Sequence, residues 1–171
     1  MIISEELFRK TEGRLYRHYR QLKEIDKLKN RVQVLSIQKE RIRQDLKETN
    51  ITLEPESRSI EFGERVQSSS TGESYAERSM IREIVRLESE WKFVRRKINR
   101  NNIRIRELEA QAADMEFIIR NFAAEYRSLI ALRYCEGNAL DTIARKLNMS
   151  KATASRERKD IVETIAKWTT L

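Results

Sequence analysis

Residues 140 to 159 carry the side chains with the clearest chemical purpose. They read Leu-Asp-Thr-Ile-Ala-Arg-Lys-Leu-Asn-Met-Ser-Lys-Ala-Thr-Ala-Ser-Arg-Glu-Arg-Lys. Ile143 and Leu147 are spaced to form the inner face of a short helix, and Ala144 is small where two crossing helices must approach. Asn148 suits a left-handed turn residue, Met149 fills the space beneath the turn, and Ser150 caps a second helix. Ala154, Ile161 and Ile165 then face inward, leaving Lys151, Thr153, Ser155, Arg156 and Lys159 outward. A helix with such an outward face suits the major groove of duplex DNA. Lys151, Thr153, Ser155 and Arg156 are expected at base edges, with Arg156 placed for bidentate contact to guanine. Thr142, Lys146 and Lys159 are expected at phosphates.

The rest of the chain offers little other chemistry. One Cys and one His among 171 residues cannot build a zinc site, which needs four ligands mainly of those types. A single Cys also excludes a disulfide framework and fits a reducing cytoplasm. Gly-rich phosphate loops and nucleophile–base pairs are absent. The expectation is therefore a protein that is not an enzyme, with no catalytic residue, metal or cofactor. Cys135 reads as a small buried hydrophobe, His18 as an exposed helix residue, Trp91 as core, and Trp168 as following the last helix and packing back on the domain. No apolar run approaches the roughly 20 residues that span a bilayer. Met1-Ile2-Ile3 meets Ser4-Glu5-Glu6 at once, so no secretory pattern opens the chain. A cytoplasmic protein with no membrane partner is expected.

The elements that must hold these side chains are helices. Four Gly and one Pro leave long stretches with nothing to interrupt a helix, while 35 Lys and Arg against 27 Asp and Glu imply a charged, net +8 surface. Residues 1–48 form an N-terminal amphipathic helix, capped by Ser4 and acidic in its first turn. Its apolar residues recur at Leu15, Tyr19, Leu22, Ile25, Leu28, Val32, Leu35, Ile42 and Leu46, and Gly13 weakens its first turns. Residues 49–74 hold Pro55, two Gly and a Ser run, and read as a polar linker. Its length implies that it crosses over a helix pair or joins independent parts.

Residues 75–122 form a long heptad helix for packing or oligomerisation. Met80, Ile84, Leu87, Trp91, Val94, Ile98, Asn101, Ile105, Leu108, Ala112, Met115, Ile119, Phe122, Tyr126 and Leu129 alternate steps of four and three. A continuous helix over that run would extend roughly 75 Å. The seam must be buried against the first helix, against a copy of itself, or both. Asn101 either fixes register or faces a solvated gap. Arg95, Arg96, Lys97, Arg100, Arg104 and Arg106 read as the solvated face of a coiled coil, with a track for a DNA backbone as the alternative. Residues 123–171 form the DNA-binding part, with Gly137 ending a helix ahead of the motif. The fold class is all-α: a long coiled-coil or helical-hairpin body with a C-terminal helix-turn-helix.

The stretch 126 to 137, Tyr-Arg-Ser-Leu-Ile-Ala-Leu-Arg-Tyr-Cys-Glu-Gly, followed by residues 140 to 159, resembles region four of bacterial sigma factors. Those domains carry an LRY-x-EG element before a helix-turn-helix, and the match covers about residues 114 to 166. The whole layout resembles phage transcription regulators of the RinA and ArpU type, which are sigma-like activators of late genes. Two positions depart from the pattern. Asn148 replaces the usual turn Gly, and Glu157 stands where an aliphatic residue is common, which implies different packing or tilt of the second helix. No aromatic-rich helix able to melt a promoter is present, so a complete sigma factor is not expected.

The resemblance implies sequence-specific binding of double-stranded DNA, engagement of bacterial RNA polymerase, and activity in the cytoplasm of a bacterial host. A homo-oligomer, with a dimer favoured, is expected through the heptad helix and would suit a two-half-site operator. The alternatives are a phage small-terminase-like DNA-packaging recognition subunit, which would form a ring, and a structural coiled-coil protein whose C-terminal part binds protein.

Overall fold

A computed structural model describes residues 3–48 and 75–170. The polar segment 49–74, expected to be a linker, lies outside them. Among the described residues every regular element is helical, and none is a strand: α1 (Glu5–Glu48), α2 (Tyr75–Arg120), α3 (Ala124–Ile130), a π-helical turn (Ala131–Cys135), α4 (Leu140–Lys146) and α5 (Lys151–Thr170). No helix among them is long and apolar enough to cross a membrane.

α1 starts where its polar residues dictate. The Leu7 amide donates to Ser4 Oγ at 3.2 Å, satisfying one of the orphan donors of the first turn, and Glu5 and Glu6 complement the positive end of the helix. Gly13 lies inside α1 without interrupting it. α1 and α2, of 44 and 46 residues, contribute to two separate compact units.

The first unit comprises residues 1–29 and 103–171. In its described part α1 and α2 run antiparallel, because His18 lies against Glu116, Gln21 Nε2 donates to Gln111 Oε1 at 3.0 Å, and Arg104 reaches Glu24 at 3.5 Å. Ile105, Leu108 and Ala112 are buried on this seam, as are Leu15 and Ile25 of α1. Leu15, Ile118 and Ile119 also join one core with Leu129, Ile130, Tyr134 and Ile143, and with Ile161, Val162 and Ile165 of α5. Full burial of each such aliphatic side chain contributes about 1.5–3 kcal/mol, so this core holds the C-terminal helices in place.

The second unit comprises residues 30–102. Its described part is a pair of helix segments, with Gln38 Nε2 donating to Glu90 Oε1 at 2.9 Å and with Arg43 and Leu46 lining the same cleft as Glu88, Trp91 and Lys92. Only Ile42 and Val94 are fully buried, while Val32, Leu35, Leu46, Ile84, Leu87, Trp91 and Ile98 are half-buried and Met80 is exposed. Asn101 is half-buried, and its side-chain amide has no hydrogen-bond partner among the described residues. In each unit the heptad seam is thus covered by α1 of the same chain.

The heptad run to Leu129 spans more than one helix, for the long helix expected over 75–122 ends at Arg120. The Asn121 and Phe122 amides close the last turn onto Ile118 and Ile119, Asn121 Nδ2 donates back to the Phe117 carbonyl at 2.9 Å, and α3 begins after Ala123. The periodicity survives the break because Leu129 enters the same core as Ile119. His18 is not an exposed helix residue. It is 3% exposed, packed edge-to-face on Tyr19.

Candidate nucleic-acid interface

The approach to α4 is built from a helix end that needs Gly. The backbone leaves α3 through the π-helical turn, in which the Glu136 amide donates to the Ala131 carbonyl at 3.1 Å. Gly137 then takes φ +75°, and the Asn138 amide reaches back to Leu132 O at 3.0 Å. This seven-to-one bond, one residue wider than a Schellman bond because it follows the π-helical turn, closes the helix, and the left-handed φ is one that an L side chain adopts only with strain. Glu136 is not idle: Lys146 Nζ at 2.9 Å and Asn138 Nδ2 at 2.8 Å both donate to its Oε2. The bond from Lys146 is the main reason its carboxyl lies below the ordinary range.

α4 buries Ile143 and Ala144 and ends on the same device. Asn148 has φ +53°, the Met149 amide donates to Ala144 O at 2.9 Å, and the Asn148 amide points to Arg145 O at 3.4 Å. These are the two bonds of a Schellman closure, with Asn in the left-handed position. Ser150 then caps α5, its Oγ accepting the Thr153 amide at 3.0 Å and lying 2.8 Å from the Thr153 hydroxyl. Ala154, Ile161, Val162 and Ile165 turn inward. Two helices are thereby held at a short, rigid turn by residues that sequence reading assigned to those roles.

The seven predicted contact residues fall into three groups. Ser155, Arg156 and Lys159 are exposed on α5, and none has a hydrogen-bond or ion-pair partner among the described residues. Lys151 and Lys146 are exposed but engaged, Lys151 with Asp141 at 3.1 Å and Lys146 with Glu136. Such surface pairs are worth little, about 0–1 kcal/mol, and leave both ammonium groups available to a stronger anion. Thr153 and Thr142 are half-buried, and the Thr153 hydroxyl is already committed to the cap. Arg145, exposed on α4 with Nε directed at Asp141 O, adds a cation that was not expected at the surface. Its signal was present, since it stands one residue before Lys146.

The back of α5 is fixed by a polar cluster that sequence reading missed. Glu12 Oε1 of α1 accepts from Arg158 Nε at 2.7 Å and from the Tyr134 hydroxyl at 2.8 Å, and the Arg158 guanidinium lies over the Phe8 ring. Burial alone would push the Glu12 carboxyl up. The bonds from Arg158 and Tyr134, with the charges of Arg158 and Arg133, outweigh it and hold the group below its usual range. Burial, reinforced by Glu12, pushes the Tyr134 hydroxyl up, so it stays a donor. Partners 122 and 146 residues apart leave no local sequence signal. At Glu157, where the sigma-like pattern departs, one carboxylate oxygen is buried with no hydrogen-bond partner among the described residues. Arg133 Nε is in the same position.

Other singled-out residues settle as follows. His18 has Glu116 Oε2 at 3.3 Å from Nε2, yet neither ring nitrogen has an aligned hydrogen-bond partner among the described residues. Burial is the larger influence and holds its pKa below the ordinary value, against the opposing charge of Glu116. Cys135 is half-buried rather than buried, and its carbonyl accepts Lys23 Nζ at 2.6 Å. Trp91 is half-buried, with the Arg95 guanidinium 5.3 Å from its ring centroid. Trp168 does not follow the last helix but lies within α5, 52% exposed at the edge of a cleft shared with Arg14, Arg17 and Gln111. No protein family, curated relative or solved structure matches this chain.

Proposed function

We propose that the chain is a sequence-specific DNA-binding regulator of transcription, with α4, the Asn148 turn and α5 acting as a sigma-like helix-turn-helix. The observation that carries this reading is the outward face of α5. Ser155, Arg156 and Lys159 stand exposed, with side chains unpartnered among the described residues, within the first turns after the Ser150 cap, on a helix whose opposite face is locked into a core. Helix N-terminal turns of this kind present side chains to base edges, and Arg is the residue best matched to the guanine O6 and N7 acceptors. Lys159 and Lys146, with Thr142, serve the phosphates, while Lys151 exchanges Asp141 for an acceptor on DNA. Thr153 acts chiefly through the cap and so orients its neighbours.

The likeness to late-gene activators of the RinA and ArpU type, and with it contact to RNA polymerase, is part of the same proposal and rests on the residues of the sigma-like stretch. Two copies would offer two such helices to a two-half-site operator. Since α1 already covers the heptad seam, mass in solution decides whether a dimer forms. A ring of many copies would favour the packaging subunit instead.

Selection from random duplexes tests the reading. A single recovered motif is expected, and Arg156→Ala should relax preference at one position at a cost of about 1–3 kcal/mol, whereas Lys159→Ala should weaken all duplexes alike. Recovery of no motif, with no salt-sensitive affinity for any duplex, would make this a protein-binding structural chain.

A further inference from the structure

We infer that the second unit carries its own duplex-DNA surface, a basic band formed by residues 30–39 and 91–102 that grips the phosphate backbone. Those two segments hold seven cations, Arg31, Lys39, Lys92, Arg95, Arg96, Lys97 and Arg100, and no carboxylate at all. The other described residues of the same unit, 40–48 and 75–90, hold seven carboxylates and six cations. Charge in this helix pair is therefore segregated rather than mixed.

A merely solvated helical face mixes signs and pairs them, as the acid-bearing part of this unit does with Arg43–Glu40 and Arg86–Glu83. In the basic band only Lys92 finds a carboxylate, Glu88 at 3.5 Å. Arg31, Lys39, Arg95, Arg96, Lys97 and Arg100 make no ion pair among the described residues, although all but Lys39 are exposed. Lys92, Arg96 and Arg100 stand at successive i, i+4 positions, where like charges repel and weaken a helix. Arg96 is two residues from both Val94 and Ile98, so this row lies on the side of α2 away from its seam. Its charges rise about 6 Å per step, a regular ladder facing outward. A duplex, with a phosphate charge every 1.7 Å or so of its axis, relieves the repulsion and releases counterions.

The aromatic residues decide between duplex and single strand. A single-strand groove leaves ring faces open for base stacking. Here Lys97 Nζ lies 4.4 Å from the Phe93 ring centroid, and Arg95 covers Trp91. Phe93 is 51% exposed, yet each ring carries a cation beside it, which favours backbone phosphates over stacked bases. The inference rests on the proposed function only in taking duplex DNA as the polyanion; the segregation of charge stands without it.

The test uses the full chain and duplexes long enough to extend past the selected site. R95Q/R96Q/K97Q/R100Q should flatten the plot of log affinity against log salt by roughly 3 and weaken binding on the order of a hundredfold at physiological salt, for specific and random duplex alike. R41Q/R43Q/K47Q removes three cations from the acid-bearing part and should change the slope by less than about 1. Circular dichroism checks that each variant keeps its helix. On the parent chain, duplex should also slow acylation of Lys92 and Lys97 but not of Lys47, a readout that needs no variant. Equal slopes for parent and quadruple variant, equal losses for both variants, or no protection of Lys92 and Lys97 would each overturn the band. So would tighter binding to phosphatidylglycerol–phosphatidylcholine vesicles than to duplex. A chain that binds duplex through the band yet is indifferent to Arg156→Ala loses the proposed function and keeps this inference; the reverse pattern does the opposite.

Discussion

The two units of this chain spend the same helices differently. In the first, the ends of α1 and α2 meet α3, α4 and α5, and their shared core buries residues such as Leu15, Leu129, Ile143, Ile161 and Ile165 completely. In the second, the remaining lengths of α1 and α2 bury only Ile42 and Val94 fully. A seam between two helices covers one stripe of each, whereas a third layer encloses side chains from every direction. The first unit can therefore hold a side-chain array in one geometry, as a reading surface needs. The second has few fully buried contacts and belongs to the low-stability end of the molecule, which suits a surface that needs charge more than precision.

The sharpest test of that contrast is a pair of truncations. Leu129→Ala in the first core should cost about 2–5 kcal/mol, against roughly 1–2 for Val94→Ala in the two-helix seam. Denaturant unfolding followed by hydrogen exchange should show the second unit opening first. Equal costs, or a single transition with uniform protection, would break the distinction.

Next in size is the cluster behind α5. Glu12→Ala strands the Arg158 guanidinium and the Tyr134 hydroxyl, and a hydrogen bond to a charged group is worth about 1.5–3 kcal/mol. Adding Arg158→Met should recover part of the loss, and a double-mutant cycle by thermal melting reads the coupling. Additive losses would mean that α1 does not fix α5 through this pair.

Smaller effects come from the turns. Gly137→Ala, at φ +75°, should cost about 1–2 kcal/mol, and Ser150→Ala about 1 kcal/mol through loss of the α5 cap. Both should lower the melting temperature, and Ser150→Ala should also weaken DNA binding by freeing the first turn. A melting temperature unchanged in both would detach these turns from the stability of the first unit.

The pH response is the mildest expectation. His18 stays neutral in the fold below its ordinary 6.5, where the unfolded chain takes up a proton, so stability should begin to fall as pH drops through that value. Glu12 is depressed from 4.5, so its contribution is full above that value and fades as pH falls through the lower folded pKa. Melting in steps of pH should show two declines toward acid, and His18→Gln should remove the first alone. A single decline in the parent would place His18 in contact with solvent.

Local chemistry was legible wherever it depended on neighbours. Ser4 and Ser150 as caps, Gly137 and Asn148 as left-handed residues, and the inward set at Ala144, Ala154, Ile161 and Ile165 all occupy the positions that their side chains favour. The expected end of the long helix falls at 122, two residues past Arg120, because no Gly or Pro marks the break and the apolar spacing runs on into α3. His18 was misread because one residue among charged neighbours says nothing about which side of α1 a partner covers.

The amino-acid sequence by itself determined the helices, their caps and the α4–α5 turn, since these follow from interactions within a few residues. Only the tertiary structure decided that α1 covers the α2 seam in the same chain. It alone placed Glu12 against Tyr134 and Arg158, buried His18, and left Arg156 and Lys159 without partners among the described residues while Lys146 and Lys151 found carboxylates. Those outcomes depend on which faces meet across more than a hundred residues, and burial and charge pairing are properties of the meeting rather than of either strip of chain.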